Sequence, residues 1–268
     1  MTSRRQFFGA LCVPAALLLG PAWAAAQNAN PAPAALPTPP TTPPAQAIKR
    51  ANNIHLAFVR TNSSLINDDA QTGLKALADA LDQRTSIAAK DAIGINLDQD
   101  DLSFYRFLYW PVTPDAAPLS ERARQNVRQF INNGGVILID ARAAHGQMPS
   151  MRAVRTVADG LGIAPLEKVT KDHTLANQFY KQLSGGLPGS TSYGNVEAEI
   201  SDIQNGGRPT SVVIGANNWA DAWAGKTVMK GSPDYESALR AGIHLVRYAY
   251  TGHTRAVSVQ KILEEMKR

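Results

Sequence analysis

The sequence predicts an α/β domain with a largely parallel sheet that helices cover on both faces. From Ile54 onward, strand-like apolar segments alternate with segments of helical periodicity, a pattern typical of parallel sheets. The run Val136 to Ile139 is apolar throughout, as expected for a strand buried on both faces. Of the 268 residues, roughly 220 follow an N-terminal leader and spacer, so we expect one large domain.

The first predicted strand runs from Ile54 to Val59 (IHLAFV) and leads into a helix. Asn67 or Asp68 is expected to cap that helix by accepting a hydrogen bond from an unpaired backbone N–H. The buried face of the helix is predicted from apolar residues at helical spacing, namely Ala70, Leu74, Leu77, Ala78 and Leu81.

A second buried strand is predicted at Phe104 to Trp110 (FYRFLYW), and Pro111 is expected to end it. The clearest helix of the chain follows. Ser120 is its predicted cap, and Gly134 is expected to take the left-handed conformation that ends it. The strand that starts at Val136 comes next.

Three further elements are predicted in the last part of the domain. A helix is expected from Met151 to Leu161, and a strand over residues 210–214 (TSVVI). Ser232-Pro233 predicts a helix start, because proline at the first helical position gives up an N–H that would be unpaired anyway. Gly242 is expected to let this last helix approach the sheet closely.

The N-terminus predicts export. Residues 1–26 form a twin-arginine signal peptide, in which Arg4 and Arg5 precede an aromatic pair and an apolar stretch, with small residues for cleavage near residues 24–26. The alternative is an uncleaved anchor, although the apolar run is shorter than the ~20 residues that cross a bilayer. The prediction makes the mature protein periplasmic, without a stable transmembrane segment, and makes the twin-arginine translocase a partner during export.

Residues 27–50 are rich in proline, alanine and threonine and are predicted to be an extended linker. The folded domain is expected over residues 51–254. Residues 255–268 are charged and amphipathic, which predicts a helical tail.

Composition excludes several classes of function. The formal charge of +5 falls to +3 when Arg4 and Arg5 are removed, which is too mild a charge to indicate a nucleic-acid partner. The only cysteine, Cys12, lies in the predicted signal. The mature chain is therefore predicted to have neither a disulfide nor a thiol nucleophile.

Several segments, in their order and spacing, resemble the bacterial domain-of-unknown-function family 4159. They are DDLSFYRFLYWPV, LSERARQNVRQFINNGGVILIDAR, DHTLANQFY, VVIGANNWADAW and ALRAGIHLVRYAYTG. The resemblance implies a flavodoxin-like three-layer sandwich similar to class I glutamine amidotransferases. It also suggests partners among envelope proteins of the MoxR and von Willebrand factor A-like systems. After the first strand, residues 60–63 (RTNS) depart from the Tyr- and Gly-containing turn of the family.

Motifs for catalysis are missing from the sequence. No cysteine is left for amidotransferase chemistry, and no serine lies in a G-x-S-x-G elbow. There is no P-loop or dinucleotide fingerprint, so no cofactor is predicted. Two carboxylates and two imidazoles could hold zinc if their loops converged, but they lack a fixed metal-ligand spacing, and we predict no metal. These four residues are Asp140, His145, Asp172 and His173.

Open α/β sheets bind ligands beyond the carboxyl ends of their strands, and polar residues follow three of the predicted strands. The predicted ligand-binding residues are Arg60, Asp140, Arg142, His173, Asn217, Asn218 and Asp221. The alternative is architectural, because Asp and Asn after a strand also cap the next helix, and Trp219 and Trp223 would then close the core.

The leading hypothesis for function is a non-catalytic binding or assembly factor of the cell envelope. The alternative is a periplasmic hydrolase of envelope material that uses Asp140 and His173 as acid and base or as metal ligands. A cofactor-bearing redox protein is suggested by the export route alone.

Overall fold

The computed structural model describes residues 54–144, 146–169, 196–199 and 209–252. The strands in these residues are β1 Ile54–Val59, β2 Ala89–Ile95, β3 Phe107–Val112, β4 Val136–Ala141, β5 Leu166–Lys168, β6 Glu197–Glu199 and β7 Val212–Gly215. They form one sheet in the order β2-β1-β3-β4-β7-β6-β5.

Helices cover both faces of this sheet. They are α1 Ser64–Arg84, α2 Glu121–Asn132, α3 Met151–Ala158, α4 Trp219–Ala224 and α5 Pro233–Arg247, with a 3₁₀ turn at Leu102–Phe104 and a π turn at Tyr248–Gly252. One core lies between the sheet and α1, α4 and α5. A second core lies between the opposite face and α2 and α3. The predicted α/β three-layer sandwich is confirmed.

The five strands from β2 to β7 along the sheet are parallel. Beyond them, β6 is antiparallel to β7, and β5 is antiparallel to β6. The order β2-β1-β3-β4-β7 is that of a flavodoxin-like sheet. Its strand order reverses between β1 and β3, and such a reversal is where ligands bind in open α/β folds.

Most of the predicted helix ends are confirmed. The Ser120 hydroxyl accepts the Ala123 N–H at 3.0 Å, and Ser232 does the same for Tyr235 ahead of Pro233. Gly134 has a φ of 82°, as the end of α2 requires.

The predicted cap of the first helix is wrong. Ser63, not Asn67 or Asp68, caps α1, because its hydroxyl accepts the Ile66 N–H at 3.4 Å. Asn67 lies in the first turn and turns its side chain back to the preceding loop, where its amide bonds both the N–H and the C=O of Thr61.

The second buried strand also differs from its prediction, because Phe104 lies in the 3₁₀ turn and Pro111 lies inside β3. The C=O of Val112 accepts the Arg142 N–H after β4, so the adjacent Pro111 turns its nitrogen toward β1. Pairing of β1 with β3 ends at Phe58 and Tyr109. Pro111 has no N–H to extend that pairing, and it lies where the two strands separate.

The predicted role of Gly242 needs a correction. A Cβ at Gly242 would lie 2.7 Å from Leu77 of α1 and 2.8 Å from Trp223 of α4. This glycine therefore lets α5 approach two helices rather than the sheet.

Candidate functional site

The carboxyl ends of β3, β4 and β7 place Pro111, Asp140 and Gly215 side by side. The side chains at these positions point to the face that α1 and α4 cover, because Tyr109, Leu138 and Val213, two residues earlier in each strand, belong to that core. Three of the predicted residues, Asp140, Arg142 and Asp221, meet on this face.

The Asp140 carboxylate is fully buried and accepts three hydrogen bonds. One oxygen accepts the Tyr109 hydroxyl at 2.7 Å and the Trp219 N–H at 2.9 Å. The other accepts the Asn217 N–H at 3.0 Å. Asp140 therefore holds the start of α4 from the neighbouring strand, which makes it a cap for a helix that does not follow it in sequence.

Burial raises the pKa of Asp140, and the nearby Arg142 and the donated hydrogen bonds limit that rise. The pKa of the Tyr109 hydroxyl is raised further, first by its own burial and then by the charge of Asp140. Tyr109 consequently stays protonated and donates to the carboxylate. Such a buried pair has no exposed atom with which to meet a substrate.

The Arg142 guanidinium connects the strand end to two helices. Its Nη2 lies 2.7 Å from Asp221 of α4 and 3.3 Å from Asp69 of α1, and its Nη1 lies 3.4 Å from the Tyr109 hydroxyl. Lys226, half exposed, donates to the other oxygen of Asp69 at 2.5 Å. Two carboxylates and two cations thus form one network, which meets the need of a buried charge for a partner.

The charged groups of this network shift the pKa values of their neighbours. Burial disfavours the charged form of Arg142, but Tyr109, Asp140 and Asp221 outweigh that effect and raise its pKa. Burial raises the pKa of Asp221 against the lowering effect of Arg142. The hydrogen bond to Asp69 raises the pKa of Lys226. Arg142 therefore stays cationic.

The connection from β7 to α4 is a tight turn that contains Asn217 and Asn218. Asn218 has a φ of 50°, a left-handed conformation that asparagine tolerates better than most residues. Its side chain makes no capping bond, and Asp140 accepts the Trp219 N–H at the start of α4. The Asn217 amide and the Trp219 indole N–H are buried without a hydrogen-bond partner in the described part of the chain.

A separate pocket of about 220 Å³ opens at the carboxyl ends of β1 and β3. It reaches the other side of the sheet at the strand ends, because Val59, Trp110, Ala123 and Val157 of its lining belong to the core under α2 and α3. Its polar lining consists of Arg60, Thr61, Asn62, Asn96, Asp98, Thr113 and Asp115. This is the position where the strand order reverses, and Pro111 lines it at the point where β1 and β3 part.

Hydrogen bonds fix the walls of this pocket. In the β1–α1 loop, the Asn67 side chain bonds the backbone of Thr61 on both sides. In the loop after β2, the Asn96 side chain accepts the Asp98 N–H at 2.8 Å, and Asp98 accepts the Ser120 hydroxyl. Walls that are fixed in this way lose little entropy when a ligand binds.

Thr113 reaches the floor of the pocket from the end of β3. The residue lines the pocket and is 6% exposed. Arg60 enters from the end of β1, where its aliphatic stem lies over Gly94 of β2, close to where a Cβ would be. The guanidinium of Arg60 forms no ion pair with a residue that the structure describes.

The predicted ligand-binding residues therefore separate into two groups. Arg60 lines the pocket at the strand reversal. Asp140, Arg142 and Asp221 form the separate network under α1 and α4, and Asn217 and Asn218 lie in the turn before α4. His173 lies outside the described residues. Sequence reasoning missed the remaining polar lining, namely Thr61, Asn62, Asn96, Asp98, Thr113 and Asp115. Placing the strand reversal between the first and third strands would have identified them.

No group of three or more His, Cys, Asp or Glu residues in the described ranges is arranged to hold a metal ion. Of the four residues considered for zinc, Asp140 is committed to Tyr109 and the turn before α4. His145, Asp172 and His173 lie outside the described residues.

A comparison of the sequence with known families identifies the family of this chain. The sequence pattern of the domain of unknown function DUF4159 matches residues 55–250. The chain belongs to the DUF4159 family. A search of curated proteins found no match. In the described part of this DUF4159 chain, no helix has both the length and the apolar character to cross a bilayer.

Proposed function

We propose that this DUF4159 protein is a non-catalytic binding factor whose ligand occupies the pocket between the carboxyl ends of β1 and β3. The observation that supports this most directly is the convergence of polar side chains from three loops at the reversal of strand order. The pocket combines an apolar wall with a few fixed polar groups, which is the composition of small-molecule sites.

The alternative, a hydrolase that uses Asp140, has less support. A general acid or base must lie within hydrogen-bond reach of the group whose proton it transfers. Asp140 is 0% exposed, and both of its oxygens accept hydrogen bonds from the protein. The Asp140 carboxylate accepts the backbone N–H groups that position the start of α4.

We extend the proposal to the cell envelope on the strength of the predicted signal peptide. The twin-arginine translocase would be the partner during export, and envelope proteins of the MoxR and von Willebrand factor A-like systems are proposed partners afterwards. The absence of a mature cysteine supports a non-catalytic role on an amidotransferase-like domain.

The test is complementation of a deletion strain by the full chain with the pocket blocked. Ala117 is exposed on the pocket rim, so Ala117→Phe fills the entrance without disturbing the core. Ala88→Phe is the matched control, because Ala88 is exposed and precedes β2, at the amino ends of the strands rather than at the carboxyl ends where the pocket lies. We expect Ala117→Phe to abolish complementation while both variants melt as the wild type does.

Full complementation by a stably folded Ala117→Phe chain would contradict the proposal. If Asp140→Asn instead abolished complementation without loss of stability, the hydrolase would be the better explanation.

A further inference from the structure

The chemistry of the lining limits what the pocket between β1 and β3 binds, if the proposed binding function is correct. We infer that its ligand is an uncharged sugar ring, a polyhydroxylated molecule whose hydroxyls reach Asn62, Asp98 and Thr113.

The lining of the pocket carries charges of both signs. The lining carries one guanidinium, Arg60, and two carboxylates, Asp98 and Asp115. The N-termini of α1 and α2 lie next to it, and each contributes a positive potential equivalent to about half a unit charge. The lining therefore carries groups of both signs, so it is not built for a ligand of one charge alone.

The pocket offers a mixed set of hydrogen-bond donors and acceptors. Arg60 only donates, a carboxylate only accepts, and the amides and hydroxyls of Asn62, Asn96 and Thr113 do both. A hydroxyl donates and accepts in the same way, so one ligand with several hydroxyls can satisfy every group of this mixed set. Thr113 lines the pocket and is 6% exposed, so its hydroxyl is placed to exchange a hydrogen bond with a ligand hydroxyl.

The apolar lining and the volume of the pocket limit the size of its ligand. The lining also contains apolar residues suited to the C–H face of a sugar ring, namely Leu97, Trp110, Pro111 and Leu119. The volume of about 220 Å³ is below the ~300–1,000 Å³ of sites for drug-sized molecules. It fits one ring rather than a nucleotide or a long chain.

The experiment measures binding of defined probes to the full chain by isothermal titration calorimetry and ligand-observed NMR. The probes are glucose, galactose and N-acetylglucosamine at millimolar concentration, with inorganic phosphate and acetate as anions of small size. We expect at least one of the sugars to bind and neither anion to compete with it.

The decisive variant is Thr113→Val, which keeps the shape of the side chain and removes the hydroxyl. We expect it to weaken sugar binding about fivefold, the loss of one neutral hydrogen bond. Thr72→Val is the matched control, because the exposed Thr72 hydroxyl bonds only the Asp68 carbonyl of its own helix. That variant should bind as the wild type does.

Two results would overturn the sugar assignment. One is binding of phosphate or acetate that Thr113→Val weakens, and the other is no binding of any sugar in the set. Both leave the proposed function testable, because complementation by Ala117→Phe reports on the pocket whatever its ligand is. Loss of complementation with no sugar bound would keep the binding function and reject its ligand class.

Discussion

At the scale of single residues, the Asp140 carboxylate connects three parts of the domain. Tyr109 lies on β3, Asp140 on β4, and the N–H groups of Asn217 and Trp219 lie in the turn after β7. A carboxylate with three donors at fixed positions replaces the cap that Asn218 does not provide. Its burial is tolerated because these donors and the nearby Arg142 compensate for lost hydration.

Asp140→Asn should destabilise the protein by about 1–3 kcal/mol, because the new NH₂ group must face a backbone N–H on one side or the other, which leaves that N–H without an acceptor. The free energy of unfolding in urea measures this. Asp79→Asn, at an exposed position of α1, is the control and should change stability by less than about 0.5 kcal/mol. Equal stability of both variants would mean that Asp140 does not hold the turn.

The pH dependence of the same variant follows from the raised pKa of Asp140. Above the ordinary value of 3.8, the folded state keeps a proton that the unfolded state has released. The contribution of Asp140 to stability is therefore present below pH 3.8 and is lost as the pH rises through the folded-state pKa. We expect the difference in unfolding free energy between wild type and Asp140→Asn to shrink over that range. A difference that grows with pH would show that the folded-state pKa is lowered instead.

At the scale of elements, α1 and α4 pack with their backbones in direct contact at Gly73. A Cβ at this position would lie 2.3 Å from the Ala220 carbonyl oxygen. Because the obstructing atom belongs to the backbone, no side-chain rotation relieves the clash. The close approach also brings Asp69 of α1 within reach of Arg142.

Gly73→Ala should therefore destabilise the domain by about 1–3 kcal/mol from overpacking, although alanine favours the helix by about 1 kcal/mol in an exposed position. Thermal and urea unfolding give the measurement. Thr72→Ala is the control in the same helix, because its side chain is exposed and bonds only its own helix. A Gly73→Ala protein more stable than the wild type would show that α4 moves away from α1 at little cost.

The loops after β1 and β3 shape the pocket as elements rather than as single residues. Pro111 lies where pairing of β1 with β3 stops, and the strands part there. The eight residues between β3 and α2 then form one wall of the pocket, while Asn67 fixes the opposite loop through Thr61. A tight strand-to-helix elbow after β3 would have left no room for this cavity.

At the scale of the whole molecule, the predicted leader makes export by the twin-arginine route a testable prediction. Replacing both Arg4 and Arg5 by lysine should leave unprocessed precursor in the cytoplasm, because the twin-arginine pair is the recognition feature of that route. Cell fractionation and immunoblotting give the measurement, and mass spectrometry of the exported wild type should place its N-terminus between Ala25 and Gln27. Normal export of the double lysine variant would show that the general secretory route suffices, and an intact Met1 on the envelope protein would favour the anchor.

Much of the architecture follows from local sequence. The bounds of β1, the Ser120 and Ser232 caps and the left-handed Gly134 depend on residues close in sequence, and all were predicted. The short edge strands β5 and β6, the polar face of β2 and the six-residue α4 carry too little periodicity to be recognised. Pro111 was misjudged because its effect depends on which neighbour its nitrogen faces.

The sequence alone determined that the chain has an α/β fold, lacks a cysteine after residue 12 and carries polar residues at the ends of its strands. Only the tertiary structure decided which of those residues meet. Side chains two residues apart on a strand share a face, but the partners of Asp140 and Arg142 come from positions up to 79 residues away. The reversal of strand order brought Arg60 and Thr113 together around one pocket. Packing of α1 against α4 enclosed Asp140, Arg142 and Asp221.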